Sequence, residues 1–117
     1  LFSGSANQDF SDMFVSSTDS SRKQPPNRRA SENMALQHFG ADFMITAGRY
    51  PDGTLAEIFM NAAHANSALD AIISDAAIAI SLALQFGCPL DTLRHALKRD
   101  SLGNPSSPIG AALDLVP

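Results

Sequence analysis

The stretch from Ser67 to Gly87 constrains this chain more than any other. Ser67-Ala68-Leu69-Asp70 has the form of a capping box, with a hydroxyl at the N-cap and a carboxylate three residues on. Gly87 supplies the residue that closes a helix in the left-handed conformation. Nothing between them breaks the helical period, so the spacing predicts one long helix ending near Phe86. Leu69, Ile72, Ile73, Ala76, Ile80, Ala83 and Leu84 fall on one apolar stripe, with Ile78, Leu82 and Phe86 on a second beside it. Asp70, Ser74, Ala77, Ser81 and Gln85 make the more polar face. The apolar arc is too wide for one small sheet to cover, so burial on two sides is expected, a second subunit included. Ser74, Asp75 and Ser81 interrupt the run, which reads as a packed helix and not a membrane span.

A chain of 117 residues has room for one domain. Ahead of the helix the pattern is that of strands. Met34-Ala35-Leu36 reads as a short first strand, Gly40-Ala41-Asp42 as a turn, and Phe43 to Tyr50 as a second strand rich in β-branched and aromatic residues. Tyr50-Pro51-Asp52-Gly53-Thr54 is a hairpin turn, and Leu55 to Asn61 is the return strand. Alternation sets Ala56, Ile58 and Met60 on one face and Leu55, Glu57 and Phe59 on the other. Both faces are apolar, so the second is expected to be covered or to be an interface. Beyond the long helix, Pro89 opens another, with Leu90, Leu93 and Leu97 inward. Gly103-Asn104-Pro105 breaks the chain, and Ser107 caps a last short helix that begins at Pro108 and buries Ile109, Ala112, Leu113 and Val116. The expected fold is α+β: a small antiparallel sheet of two to three strands packed on one long helix plus two shorter helices, over residues 31–117.

Residues 1–30 differ in kind. They are rich in Ser, Asn, Asp and Gln, contain Pro25-Pro26, and read as a disordered tail in which Phe10, Met13 and Phe14 sit at helical spacing. Within it, residues 22–29 carry Arg22, Lys23, Arg28 and Arg29, a basic segment suited to a polyanion or simply to water. Charge is unevenly placed: three acids against four bases in residues 1–30, and nine acids against four bases in the remainder. An acidic body is a poor platform for a phosphate backbone, so nucleic acid is not the expected partner.

Catalytic chemistry is sparse. The single cysteine, Cys88, excludes an intramolecular disulfide and any multi-cysteine zinc site. His38, His64 and His95 lack metal-type spacing, so no metal is expected. His64, in the connection ahead of the long helix, reads as a loop residue. Cys88, between Gly87 and Pro89, reads as a small filler, and Glu57 as an edge or interface charge. No catalytic residue is assigned. The densest polar stretch is Lys98 to Pro108, where two cations and the hydroxyls of Ser106 and Ser107 meet a new helix N-terminus; Lys98, Arg99, Ser106 and Ser107 form a candidate anion site.

The order of these pieces resembles a known family. Gly48-Arg49, Asp52-Gly53 and Ala56-Glu57-Ile58-Phe59, then Ser81-Leu82-Ala83-Leu84-Gln85-Phe86-Gly87-Cys88-Pro89-Leu90, are similar to the TSCPD domain. That domain occurs at the C-terminus of adenosylcobalamin-dependent (class II) ribonucleotide reductases and in short stand-alone proteins. Leu97 to Gly110 resembles the stand-alone branch, and the resemblance covers residues 30–116. The motif that names the family, Thr-Ser-Cys-Pro-Asp, falls on Pro105-Ser106-Ser107-Pro108-Ile109. Ser107 replaces the cysteine and Ile109 the aspartate, which removes any thiolate or metal role and keeps the serine-proline helix cap.

The resemblance implies a non-catalytic accessory or binding module of deoxyribonucleotide metabolism, cytoplasmic and homodimeric, that binds a partner chain such as a reductase catalytic chain, or a nucleotide. The full-length relatives use adenosylcobalamin; no cofactor is expected on this chain. Thiyl chemistry needs a radical cysteine and a reducing pair, which one cysteine cannot supply. Two alternatives stand beside this reading: a nucleic-acid-associated protein using the basic tail, and a reductase component active only with a separate catalytic chain.

Overall fold

A computed structural model of the chain describes residues 21–65 and 67–117. Phe10, Met13 and Phe14 therefore lie outside the described residues. Three strands are followed by three helices: β1 (Ser31–His38), β2 (Ala41–Arg49), β3 (Leu55–Ala62), α1 (Ala68–Gln85), α2 (Leu90–Ala96) and α3 (Pro108–Leu115). The strands form one antiparallel sheet in the order β1-β2-β3, and the α+β class expected from the sequence is the one found.

The first strand is longer than the Met34-Ala35-Leu36 segment, and its turn lies earlier than Gly40-Ala41-Asp42. His38 pairs with Ala41, leaving a two-residue turn, Phe39-Gly40, with φ of 47° and 80°. Positive φ at both central residues matches the right-handed twist of the flanking strands, and Gly40 meets that requirement freely. Phe39 meets it against its Cβ, and its side chain is 85% exposed.

One sheet face carries the core. Phe43, Ile45, Ala47, Ile58 and Met60 are buried beneath Ile73, Ala77 and Ile80 of α1 and Ile109, Ala112 and Leu113 of α3. The pairing shifts at Gly48/Arg49, where Gly48 faces Glu57 and Arg49 faces Leu55. The extra residue in β3 breaks the alternation, so Leu55 joins the core cluster instead of sharing a face with Glu57 and Phe59.

Helix α1 corrects the sequence reading. Its buried residues are Ile73, Ala77, Ile80, Ser81 and Gln85, so the polar face packs inward while Leu69, Ile72 and Ile78 are exposed. The physical reason is β3. It is an edge strand, and the backbone groups it turns away from β2 need partners. Asp70 Oδ1 accepts from the Ala62 N–H at 2.9 Å. Ser74 Oγ donates to the Met60 carbonyl at 3.1 Å, and Gln85 Nε2 donates to the Ala56 carbonyl at 3.2 Å. Ser81 Oγ accepts from the Ile58 N–H at 2.8 Å and lies 2.9 Å from both the Ile58 and Ala77 carbonyls, either of which takes its proton. By length and apolarity α1 would suffice to cross a bilayer, with a mean hydropathy of 1.6. Here its polar seam is bonded to β3.

The caps follow the sequence. Ser67 Oγ accepts from the Asp70 N–H at 3.1 Å. Gly87, at φ 98°, closes α1 with its N–H on the Leu84 carbonyl and the Cys88 N–H on the Ala83 carbonyl. Pro89 is the N-cap of α2 rather than its first helical residue.

Candidate functional site

The loop from Leu97 to Ser107 holds all four candidate anion ligands. Its neck is closed by backbone: the Ser106 N–H donates to the Lys98 carbonyl at 3.0 Å, and Arg99 and Pro105 form a bridge. Inside, Asp100 Oδ1 accepts from the N–H groups of Leu102 and Asn104, each at 2.9 Å. This closure brings Lys98, Arg99, Ser106 and Ser107 to one end of the molecule.

The Arg99 guanidinium is turned to structure. It forms a two-pronged pair with Asp114, at 2.6 and 2.9 Å, and also donates to the carbonyls of Gly103 and Arg94. The same pair holds the Asp114 carboxyl below its ordinary range and pushes the guanidinium up. Ser107 Oγ accepts from the Gly110 N–H at 3.1 Å, as its capping role requires. Lys98 is exposed. Arg94 donates to the carbonyls of Leu113 and Val116, so both arginines fasten α2 to α3. These long-range partners were invisible to sequence reasoning, which saw only a cluster of cations.

The neck of this loop is also tied to the end of β1. The His38 ring lies with Nε2 3.2 Å from the Pro105 carbonyl, which requires that nitrogen to carry a proton. The contact joins the Phe39-Gly40 turn to the loop that bears Leu102, and among the described residues Phe39 and Leu102 are the most exposed large apolar ones, at 85% and 84%.

The second sheet face is partly covered. Residues 21–30, assigned by sequence to the tail, have no regular secondary structure, yet are bonded to the body. Arg22 Nε donates to Gln85 Oε1 at 2.6 Å, and the Lys23 N–H to the Gln85 carbonyl at 2.8 Å. Tyr50 donates its hydroxyl to the Lys23 carbonyl, while the Lys23 ammonium stands 4.3 Å from the Tyr50 ring centroid. Burial pushes the Tyr50 phenol up. Arg29 is ion-paired with the buried Glu57. At least two cations of the basic segment thus face the chain itself. Further along this face Met44 and Phe59 are half exposed.

His64 is exposed, and Cys88 is partly buried beside a cleft lined by Tyr50, Leu55, Leu84 and Leu90. Among the described residues no group of three His, Cys, Asp or Glu converges as a metal site.

No family model matches the chain. No solved structure matches it at a significant level. The chain is homologous to a segment of vitamin B12-dependent ribonucleotide reductases. It is 39% identical over 70 residues to that of Bradyrhizobium diazoefficiens, covering 60% of this chain and 6% of the reductase. It is 35% identical over 71 residues to that of Streptantibioticus cattleyicolor, covering 61% and 12%, and 36% identical over 70 residues to that of Agrobacterium fabrum, covering 60% and 6%. The matched stretch is thus a small fraction of each relative. Among the described residues His38, His64 and His95 lie on separate elements, and the His38 and His95 rings each bond a backbone carbonyl of this chain.

Proposed function

We propose that the chain is a non-catalytic accessory module of deoxyribonucleotide metabolism, related to the TSCPD domain of class II ribonucleotide reductases, which acts by binding a reductase chain or a nucleotide. The observation that carries this reading is the homology to a short segment of reductases many times longer. One cysteine in this chain cannot provide both a thiyl radical and its reducing pair. Binding is supported by the apolar surface left in view: Ile72 at 67% and Ile78 at 50% on α1, together with Phe39 and Leu102 at the turn tips. A reductase chain is favoured over a nucleotide, because Arg99 spends its donors on Asp114 and on backbone carbonyls.

The test is titration of the purified chain against a B12-dependent reductase from the same organism, read by calorimetry, beside thermal shifts with nucleoside di- and triphosphates. Saturable binding to the reductase, weakened by Ile72→Ser or Leu102→Ser, is the expected result. Stabilisation by a nucleotide that Lys98→Ala abolishes would support the nucleotide branch. No binding to either would overturn the reading.

A further inference from the structure

We propose that β1 is a self-pairing edge: two copies of this chain join their three-stranded sheets antiparallel, β1 to β1, about a two-fold axis at Ala35. The two edges of the sheet are treated differently. Side chains of α1 bond the outward backbone of β3. At β1 the Arg49 N–H donates to the Ala30 carbonyl at 3.0 Å, which sets the phase of the ladder. Glu32, Met34, Leu36 and His38 then bond β2, while the N–H and carbonyl groups of Ser31, Asn33, Ala35 and Gln37 point outward. Among the described residues no strand pairs with them.

Exposed edges are normally blunted by proline, lysine or a bulge. β1 has none of these: its sequence is SENMALQH and its register with β2 is unbroken. Its one acid, Glu32, is paired with Arg49 of its own sheet.

The strand is also complementary to itself. Centring on Ala35 sets Asn33 opposite Gln37, amide to amide, on the outer face. On the core face it sets Met34 opposite Leu36, both only partly buried in one copy, and the Glu32 carboxylate opposite the His38 imidazole. Centring on Asn33 would set Glu32 against Met34, and centring on Gln37 would run into the Phe39-Gly40 turn. The Ala35 register gives the longest ladder and the matched outer-face amides. A second copy is therefore the occupant the edge fits, joined by an isologous contact. This inference goes beyond the function proposed above and does not depend on it.

The experiment is sedimentation equilibrium of the full chain and of Ala35 variants. The wild type is expected to dimerise. Ala35→Pro removes an outward N–H without touching the β2 ladder, and is expected to raise the dimer Kd about 30-fold or more, two net hydrogen bonds being lost. Should that variant fold poorly, a charge swap carries the test. Ala35→Lys and Ala35→Glu each weaken self-association, and mixing them restores a dimer, since residue 35 is its own mate. A monomeric wild type would overturn the proposal, as would a monomer whose Ser31, Asn33, Ala35 and Gln37 amides are protected from exchange by residues 1–20. A dimer indifferent to Ala35 variants but broken by Ile72→Lys would place the contact on α1 and equally overturn it.

Discussion

Gly48 and Glu57 face each other across β2 and β3, and the space a side chain would fill at Gly48 is where the Glu57 carboxylate lies. A Cβ at Gly48 would stand 2.5 Å from Glu57 Oε2 and 2.8 Å from its Cγ. The carboxylate is not free to step aside, because Arg29 is paired with it. Gly48→Ala is therefore expected to cost about 1–3 kcal/mol. Urea denaturation of the single variants and of Gly48→Ala with Glu57→Ala measures it. The double variant should recover part of the loss; strict additivity would show that the two residues do not share this space.

Ser81→Ala is expected to cost about 1–3 kcal/mol, because it strips the buried Ile58 N–H of its acceptor. Ser74 only donates, to the Met60 carbonyl, so Ser74→Ala should cost less. Amide exchange gives the sharper readout: the Ile58 amide should exchange faster in Ser81→Ala, with the β1–β2 amides unchanged. Equal protection at Ile58 in both proteins would contradict the seam.

The hydrogen bonds from Arg99 lower the Asp114 carboxyl below 3.8, its ordinary value. Between the two values the unfolded chain binds a proton that the folded chain does not. The stabilisation from this pair is thus fully present well above 3.8 and is lost as pH falls through the folded value. Asp52, lowered by its bond from the Thr54 hydroxyl, behaves in the same sense. Asp114→Asn should be less stable than wild type near neutrality, with the gap closing as the pH falls below the ordinary carboxylate range and through the lowered folded value. A gap constant with pH, in denaturant midpoints, would remove the pair from the acid response. The effect is small, since both groups reach solvent.

Phe39→Asn should stabilise the protein by about 0.5–1 kcal/mol, since asparagine tolerates the left-handed turn that phenylalanine occupies at a cost. Little is lost in exchange: the Phe39 ring is exposed and touches the His38 ring at a centroid distance of 4.3 Å. A rise in melting temperature, with weaker binding to the reductase chain, would show that the aromatic ring is kept for contact. A fall in melting temperature would show that the ring contributes to the fold.

The α+β class, the long helix and its two caps were legible because each depends on residues a few positions apart. The inward face of α1 was not. Ser74, Ser81 and Gln85 read only as the more polar face, whereas their partners are backbone groups of a strand that only the assembled sheet brings near. The candidate anion site divides the same way. Gly103, Asn104 and Pro105 announced a tight loop, but the engagement of Arg99 depends on Asp114, fifteen residues on in another helix. Phe39 was passed over because nothing in its type suggests positive φ.

The seam between α1 and β3 also fixes a length. Asp70, Ser74, Ser81 and Gln85 are spaced by four, seven and four residues, so that each meets the outward side of β3. Inserting or deleting one residue between Asp70 and Gln85 would swing everything beyond it by about 100° around the helix axis. A hydroxyl or amide would then point at water while a strand carbonyl went bare. Substitutions on the exposed side of this helix are cheap, but its residue count between those two positions is not free to drift.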